Sequence, residues 1–184
     1  MSDGAGALGV VALGALLVVV LSVVVAYNRF VRQRALIDEA WSGIDVELTR
    51  RHELIPNLVA TVEGYAAHER TLLASLVAAR ESAAAHRHDA PAARQAYEDR
   101  VGTALGQVLA RTEAYPDLRA SDNFLALQDE LAHTEDRIAA SRRFYNGNVR
   151  AYNTRVRTFP SNLVASAGGF NERDFFELRD GVRR

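Results

Sequence analysis

The chain contains no cysteine and no lysine, and only four prolines occur among its 184 residues. Without cysteine, disulfides, thiolate catalysis and zinc sites built on sulfur are excluded. The scarcity of proline, together with abundant Ala, Leu, Arg and Glu, favours long helices. Because the formal net charge is only −1, no net field draws the chain to nucleic acid, and we expect no nucleic-acid partner.

No charged residue occurs from Gly4 to Tyr27, where Val, Leu and Ala dominate. The segment from Ala5 to Ala26 would form a helix roughly 33 Å long, enough to cross a hydrocarbon core of about 30 Å. A cleaved signal peptide ending at Val24-Val25-Ala26 is one alternative, but the segment lacks a basic n-region and is longer than the usual apolar region. A buried core helix is another, although nothing polar marks an outward face. We predict an uncleaved transmembrane helix from Ala5 to Ala26.

The charges that flank this span predict its orientation. Only Asp3 precedes it, whereas Arg29, Arg32 and Arg34 follow at once. Because positive flanks stay on the cytoplasmic side, we expect residues 1–4 outside and the domain 27–184 in the cytoplasm, at the cell membrane. The arginine stems can extend towards the head groups and bind anionic lipid, so the bilayer is a predicted partner.

One apolar stripe with alternating steps of three and four residues follows the span. It begins at Ile37, continues to about Ser82, and predicts one long helix that packs side by side with others. Because Pro56 removes a backbone donor and clashes with the carbonyl of His52, we expect a kink there rather than a break. Gly43 indicates close approach of another backbone. The largest members of the stripe are Trp41, Ile44, Leu48, Ile55, Leu58, Val62, Tyr65, Leu72 and Leu76.

The stripe is lost from Glu81 to Pro91, which predicts a loop. Asp89 is the expected cap of a second long helix that starts near Ala90, with Pro91 at its first position, and ends near Glu113. A tight connection at residues 115–117 then leads to a third long helix.

The third helix is predicted from about Ser121 until Phe159-Pro160, because proline disfavours helix in the preceding residue. A short helix follows in the tail, and we expect Phe170, Phe175 and Phe176 to fold back onto the bundle. Contact of these rings with the membrane surface is the alternative. The predicted fold is all-α: a transmembrane helix, then an antiparallel bundle of three long helices plus short pieces, similar to a four-helix bundle.

The histidines lack the spacing of a metal site. Where the zinc protease signature needs a second His four residues after His52, the chain has Pro56, and His68 fails likewise. His86 and His88 lie in a predicted loop with no obvious third ligand. With no phosphate loop and no nucleophile elbow, we predict no enzyme activity and no catalytic, cofactor-binding or metal-binding residue. A metal-dependent regulator or enzyme that uses His52, His68, His86 or His88 is the alternative.

Several polar residues are candidates for binding a partner or for fixing helix register. Arg50-Arg51 can bind an anion, although intrahelical pairing of Glu47 with Arg51 is the commoner arrangement. The Tyr-Asn pair occurs three times, and its last two copies lie seven residues apart on one helical face. The candidates are Arg50, Arg51, Asn57, Tyr145, Asn146, Tyr152 and Asn153.

These same stretches resemble the LemA family of bacterial membrane proteins. The matching segments are Tyr27-Asn28, AWSGIDVELTRRHELIPNLVATVEGYAAHE (residues 40–69), YPDLRASDNFLALQDELAHTEDRIAASRRFYN (residues 115–146), Tyr152-Asn153, FPSNLVA (residues 159–165) and Phe175-Phe176. The resemblance implies a single N-terminal span, an outward N-terminus, a cytoplasmic antiparallel helical bundle and no catalytic residues. Residues 81–107 depart most from the family pattern.

The span, the stripe and the missing catalytic groups predict a membrane-anchored scaffold or interaction module. Its expected partner is an unknown membrane or cytoplasmic protein. A self-assembling structural membrane protein, in which the stripe pairs with another copy as a homo-oligomer, is a further alternative.

Overall fold

A computed structural model describes residues 2–177, with side chains for residues 9–66 and 68–177. All regular structure in this part of the chain is helical, which confirms the predicted all-α class. The helices are α1 (Ser2–Tyr65), α2 (Arg70–Ala85), α3 (Pro91–Thr112), α4 (Pro116–Arg119), α5 (Asp122–Arg157) and α6 (Ser161–Ala167), with a 3-10 turn (Ala67–Glu69) between α1 and α2.

The chain divides into two compact units. The first unit comprises Met1–Glu39 and Gly147–Arg173, and the second comprises Ala40–Asn146 and Asp174–Arg184. Helices α1 and α5 contribute residues to both. The predicted short N-terminus, residues 1–4, includes Met1, and the predicted domain 27–184 includes residues 178–184. Met1 and residues 178–184 lie outside the described residues.

The apolar start of α1 has the properties of a membrane anchor. Within the described residues, α1 alone is long and apolar enough to cross a membrane, and its apolar stretch is covered by no other part of the chain. Large side chains such as Leu13, Val18 and Val24 are exposed. In water this exposure would cost about 25 cal/mol per Å², so the stretch requires an apolar surrounding.

Helix α1 ends earlier than the apolar stripe predicts. It continues through Pro56, as expected, but it stops at Tyr65 instead of near Ser82. Ala66 leaves helical geometry with φ −131° and ψ 56°, and the 3-10 turn leads into α2. The spacing of the stripe did not reveal this end, because Leu72 and Leu76 of α2 pack in the same core and continue the stripe's spacing.

The loop before α3 is shorter than predicted, because α2 continues to Ala85 instead of ending near Glu81, whereas the ends of α5 follow the sequence closely. Helix α3 starts at Pro91, but Ala90 is its N-cap and no side chain caps it, so the predicted cap by Asp89 is wrong. The carbonyl of Ala90 accepts hydrogen bonds from two backbone N–H groups of the first turn, and Pro91 at the first position has no N–H to satisfy. Helix α5 starts one residue after Ser121, and the short helix α6 follows it.

The second unit has one apolar core to which four helices and the α4 turn contribute. The C-terminal part of α1, helices α2 and α3 and the N-terminal part of α5 each contribute a buried face. This arrangement agrees with the predicted bundle. The core residues are Ile55, Leu58, Val62, Ala66, Leu73, Leu76, Ala83, Val101, Ala104, Leu105, Val108, Leu118, Phe124 and Leu131.

The tail phenylalanines pack within the units to which they belong. In the first unit, Phe170 lies 4.9 Å from the ring of Phe30 and 5.2 Å from that of Tyr27. In the second unit, Phe176 lies edge-on to Trp41, with ring centroids 5.1 Å apart. Both side chains are buried and Phe175 is half-buried. The prediction that the tail folds back is confirmed for Phe170 and Phe176.

Pro56 is accommodated inside α1 by an arginine from the next helix. A helical residue at position 56 would donate its N–H to the carbonyl of His52, but proline has no N–H. The Nε–H of Arg80, on α2, donates to that carbonyl at 2.7 Å. The proline therefore frees a buried acceptor, and the arginine satisfies it, which joins α2 to α1 at a defined height.

This arrangement predicts a coupling between Arg80 and Pro56. Arg80→Met should lower the free energy of unfolding by about 1–3 kcal/mol, because the His52 carbonyl is left without a donor. In a Pro56→Ala background the new N–H can donate to the same carbonyl, so Arg80→Met should cost less. The measurement is a double-mutant cycle on the full chain in detergent, followed by the fluorescence of Trp41, the only tryptophan.

Arg143→Met is the matched control, because Arg143 is an exposed helical arginine in the same unit. It should change the stability by less than about 0.5 kcal/mol in both backgrounds. Equal costs of Arg80→Met with and without Pro56 would show that the hydrogen bond does not compensate for the proline.

Candidate functional site: a buried ionic cluster

The central polar feature of the second unit is a cluster of charged side chains inside the bundle. Arg51 and His52 of α1 meet Arg94 and Glu98 of α3, and all four residues are buried. Arg51 retains 1% of its exposed surface and Glu98 none. Charged groups are almost never buried to this extent unless they are paired, so the geometry of the pairs decides what the cluster can do.

Glu98 accepts hydrogen bonds on both oxygens. Arg51 Nη2 lies 2.7 Å from Oε2, and the Nε2 atom of His52 lies 3.1 Å from the same oxygen. Arg94, one turn earlier on α3, donates its Nε–H to Oε1 at 3.1 Å. The carboxylate is thus held by two guanidinium groups and an imidazole.

The two arginines extend the cluster to acidic groups nearer the surface. Arg51 Nη1 lies 3.1 Å from an oxygen of Glu135 on α5, and Arg94 Nη1 lies 2.7 Å from Asp45 on α1. The guanidinium of Arg94 also lies 5.7 Å from the centre of the Trp41 ring, in a cation–π contact. Arg51 and Arg94 therefore connect α1, α3 and α5 through ion pairs with Glu98, Glu135 and Asp45.

The expected intrahelical pair between Glu47 and Arg51 is absent. Arg51 is turned into the core and pairs with Glu98 and Glu135, while Glu47 lies 3.8 Å from Arg137 of α5. The buried acceptors offer Arg51 stronger hydrogen bonds than an exposed pair, which is worth only a few tenths of a kcal/mol.

These contacts keep Glu98 ionised. Burial alone raises the pKa of its carboxyl, but the hydrogen bond from His52 and the positive charge of Arg51 outweigh burial and lower the pKa to about 2. A carboxylate with so low a pKa, whose oxygens are already occupied by donors, is a poor proton acceptor at neutral pH. The arrangement of paired charges can hold the helices together.

The histidines occupy separate places in the structure. His52 belongs to the cluster, and His86 stacks on the ring of Tyr97 at 3.8 Å while its Nδ1 lies 2.8 Å from the carbonyl of Ser82. His68 and His88 are exposed. Among the described side chains, no three His, Asp or Glu residues converge in a way that could hold a metal ion.

Sequence reasoning missed Glu98, Arg94, Asp45 and Glu135. A signal for Arg51 and His52 was present, since the apolar stripe jumps from Leu48 to Ile55 and the skipped position falls on these two residues. A polar residue in a core position of a helix indicates a buried polar partner. The identity of that partner is a long-range fact, which one sequence does not contain.

In the second unit, Tyr145 and Asn146 bind the backbone of the tail. The hydroxyl of Tyr145 donates to the carbonyl of Asp174 at 2.9 Å. The amide of Asn146 makes two hydrogen bonds with Phe176: it donates to the carbonyl at 2.9 Å and accepts from the N–H at 3.0 Å. This pairing copies the exchange between two strands, with a side chain in place of one backbone.

The first unit contains the same pair of hydrogen bonds between an asparagine side chain and the tail backbone. The amide of Asn153 donates to the carbonyl of Arg173 at 2.8 Å and accepts from its N–H at 2.9 Å. Tyr152 is buried and packs edge-on against Phe30, with centroids 5.8 Å apart. The two asparagines thus hold the extended tail by its backbone.

The remaining candidates, Arg50 and Asn57, lie on the exposed face of α1. Arg50 pairs with Glu130 of α5 at 3.2 Å, and both side chains are about half exposed, so this pair contributes little to stability. Neither residue takes part in the buried cluster.

A second polar group lies at the turn where α1 ends. Glu69 accepts from Arg111 Nε at 2.6 Å and from the hydroxyl of Tyr115 at 2.8 Å. These hydrogen bonds lower the pKa of the Glu69 carboxyl. They connect the 3-10 turn to the end of α3, which explains why the chain can turn at a position without proline.

The cluster predicts a specific loss of stability in acid. Because the pKa of Glu98 is about 2 in the folded chain and 4.5 as an unperturbed group, its contribution is present above about pH 4.5 and is lost as the pH falls towards 2. The shift corresponds to roughly 3 kcal/mol. In thermal unfolding of the full chain in detergent, the stability difference between the native chain and Glu98→Gln should therefore shrink steadily across this range.

Glu113→Gln provides the comparison, because Glu113 is an exposed carboxylate in the same unit. Its stability should follow that of the native chain at every pH, within about 0.5 kcal/mol. A Glu98→Gln chain as stable as the native one at pH 7 would contradict the electrostatic account.

Comparison with known proteins places this architecture in a family. The profile of the LemA family matches residues 40–184. Magnetosome protein MamQ 1 of Paramagnetospirillum magneticum is 24% identical over 93% of this chain and 72% of its own length, and MamQ of Magnetospirillum gryphiswaldense is 23% identical over 85% and 66%. Protein LemA of Metamycoplasma hominis is 26% identical over 75% of this chain and 63% of its own.

The matched region contains the RRHELIP segment of α1, every residue of the buried cluster and the two asparagines that hold the tail. It covers more than half of the chain, and the relatives extend the likeness over the N-terminal region. The protein is a membrane-associated, all-helical chain that belongs to the LemA family.

Proposed function

We propose that this chain is a non-catalytic interaction module that α1 holds at the cytoplasmic face of a bacterial cell membrane. Its partner would be a membrane or cytoplasmic protein that binds the second unit. The absence of a reaction is part of the proposal, and the saturated hydrogen bonding of Glu98 supports it.

The observation that carries the proposal is the exposed stripe of α1. Val46, Arg50, Glu53 and Asn57 are all exposed and recur at steps of three and four residues, so they share one face of the helix. Val46, at the N-terminal end of this stripe, is a large apolar side chain that retains 61% of its exposed surface. A stripe with one apolar contact among charged and amide groups is the kind of surface that protein partners bind.

Photocrosslinking in cells tests this surface. A photoreactive phenylalanine analogue at Asn57 or at Val46 of the full chain should give a discrete adduct with another protein, which mass spectrometry identifies. The analogue at Ala93, an exposed position on α3, is the matched control and should give weaker or different adducts.

Two outcomes would count against a scaffold role for this stripe. Adducts that contain only a second copy of the chain would favour the self-assembling alternative. Equal labelling from position 57 and position 93, or no adduct from either, would remove the support for a binding surface on α1.

The orientation is proposed on the charges that follow the apolar stretch. Arg29, Arg32 and Arg34 lie directly after it on α1, and such flanks stay in the cytoplasm. The second unit then faces the cytoplasm, where a scaffold partner would meet it.

Cysteine labelling can test this orientation, because the chain has no cysteine of its own. A membrane-impermeant maleimide added to intact cells should label Ser2→Cys and should leave Ala93→Cys unlabelled until the cells are permeabilised. Labelling of position 93 in intact cells, with position 2 protected, would reverse the proposed topology.

A further inference from the structure

The first unit has the charge and the exposed apolar groups of a membrane-binding surface, beyond the span itself. Its described side chains include seven arginines and only three carboxylates, a net charge of +4. The whole chain carries −1, so the positive charge is concentrated in the unit that also contains the apolar start of α1.

Helix α5 runs antiparallel to α1 within this unit. Tyr152 packs against Phe30 at 5.8 Å, while Arg155, one turn further along α5, feels the charge of Arg29, which precedes Phe30 on α1. The C-terminal end of α5 is therefore directed towards the apolar stretch at the start of α1. Phe159 comes two residues after the last residue of α5, so it lies at the end of α5 that is directed towards the apolar stretch.

The turn at the end of α5 exposes two large apolar side chains. Phe159 retains 75% of its exposed surface and Leu163, on α6, retains 61%. Phe159 lies in the connection between α5 and α6, and Leu163 lies in the first turn of α6. Large apolar groups near the point where a membrane-spanning helix leaves the bilayer can enter the boundary between head groups and acyl chains.

Arg155 is an unusual arginine for a surface position. Its Nη1 atom is buried without a hydrogen-bond partner among the described residues. Burial, and then the positive charge of Arg29, lower the pKa of its guanidinium. Like charges on Arg29 and Arg155 of neighbouring helices repel each other, and a bound anion would relieve both this repulsion and the missing hydrogen bond of Arg155.

Two other arginines of the first unit, Arg157 and Arg173, are paired with carboxylates. Arg157 pairs with Glu172 through Nε at 2.7 Å, and Arg173 pairs with Asp38 at 2.7 Å. Among the described side chains, neither Arg29 nor Arg155 pairs with a carboxylate. Among the described arginines of this unit, Arg155 is distinguished by a buried nitrogen that lacks a hydrogen-bond partner.

We propose that Arg29 and Arg155 together bind the phosphate of an anionic phospholipid, while Phe159 and Leu163 insert into the same leaflet. The turn between α5 and α6 is then a second membrane contact besides α1. Guanidinium groups bind phosphate through paired N–H donors, and the lipid supplies both the anion and the apolar surrounding that the two exposed side chains need. The proposal is independent of the scaffold function, since it concerns the other unit.

Tryptophan fluorescence with brominated lipids tests the insertion. The full chain carrying Phe159→Trp is reconstituted into vesicles of phosphatidylcholine and phosphatidylglycerol at 3:1, with bromine on the acyl chains near the head group. Emission from position 159 should be quenched at least about twofold more than that of the native chain, which reports only Trp41.

Phe144→Trp is the matched control, since Phe144 is another exposed phenylalanine of α5, with 60% of its surface open. It belongs to the second unit, so bromine should add little quenching there. Equal quenching at positions 144 and 159 would overturn the insertion of the turn.

Lipid retention tests the arginine pair separately. Native mass spectrometry of the detergent-solubilised full chain, incubated with equal amounts of phosphatidylglycerol and phosphatidylcholine, should show preferential retention of the anionic lipid. Arg155→Gln and Arg29→Gln should each reduce that preference several-fold. Arg150→Gln, an exposed arginine of the same unit, should leave it unchanged.

The outcomes separate the two parts of the proposal. An unchanged preference in both Arg155→Gln and Arg29→Gln would overturn the phosphate site even if position 159 is quenched. Circular dichroism of each variant identifies loss of helix, and a variant that loses helix is replaced by Arg155→Lys, which keeps the charge but cannot form the paired contact and should again lower the preference.

Discussion

The fold of the second unit depends on one buried carboxylate. Glu98 carries a full negative charge inside the bundle, and it is tolerated there only because Arg51, Arg94 and His52 surround it with donors. Removing two charges from water costs several kcal/mol per ion, and the attraction between them repays this cost only when the geometry is close to ideal. In other proteins, apolar residues of the same volume often give equal or greater stability than a buried ion pair, so we interpret the cluster as a means of fixing one arrangement of the helices. A helix that slipped by one turn would leave a buried charge without a partner, whereas Leu and Ile tolerate such a shift.

The RRHELIP segment places several such constraints within two turns of α1. Arg51 fixes the axial position of α3 relative to α1 through Glu98, and it fixes that of α5 through Glu135. Pro56 frees the carbonyl of His52, and that carbonyl fixes α2 through Arg80. Each neighbouring helix thus receives a polar contact from the same short stretch, and each contact is satisfied at one height only. This explains why a segment that looks unremarkable as a helical stripe contains two arginines, a histidine and a proline.

Features that depend on local periodicity could be predicted from the sequence, whereas contacts between residues distant in the sequence could not. The all-α class, the start of α3 at Pro91 and the stop of α5 before Pro160 follow from local chemistry. The end of α1 at Tyr65 did not, because that turn is held by Glu69 contacting Arg111 and Tyr115, which are more than forty residues away in the sequence. For the same reason the partners of Arg51 were out of reach, although its place in the stripe indicated that a partner was needed. The asparagines were recognised as structural candidates, but the tail backbone that they bind carries no side-chain signal.

The cluster also limits where function can lie. Its carboxylates and guanidinium groups are paired with one another, so most of their hydrogen-bonding capacity is used within the fold. Recognition then depends on exposed groups, and the two units expose different ones: a mixed polar stripe on α1 in the second, unpaired arginines with two apolar side chains in the first. The units differ in charge as well, because the described part of the first carries +4 within a chain of −1. Under the two proposals, the positively charged first unit binds anionic lipid, and the acidic second unit binds a protein partner.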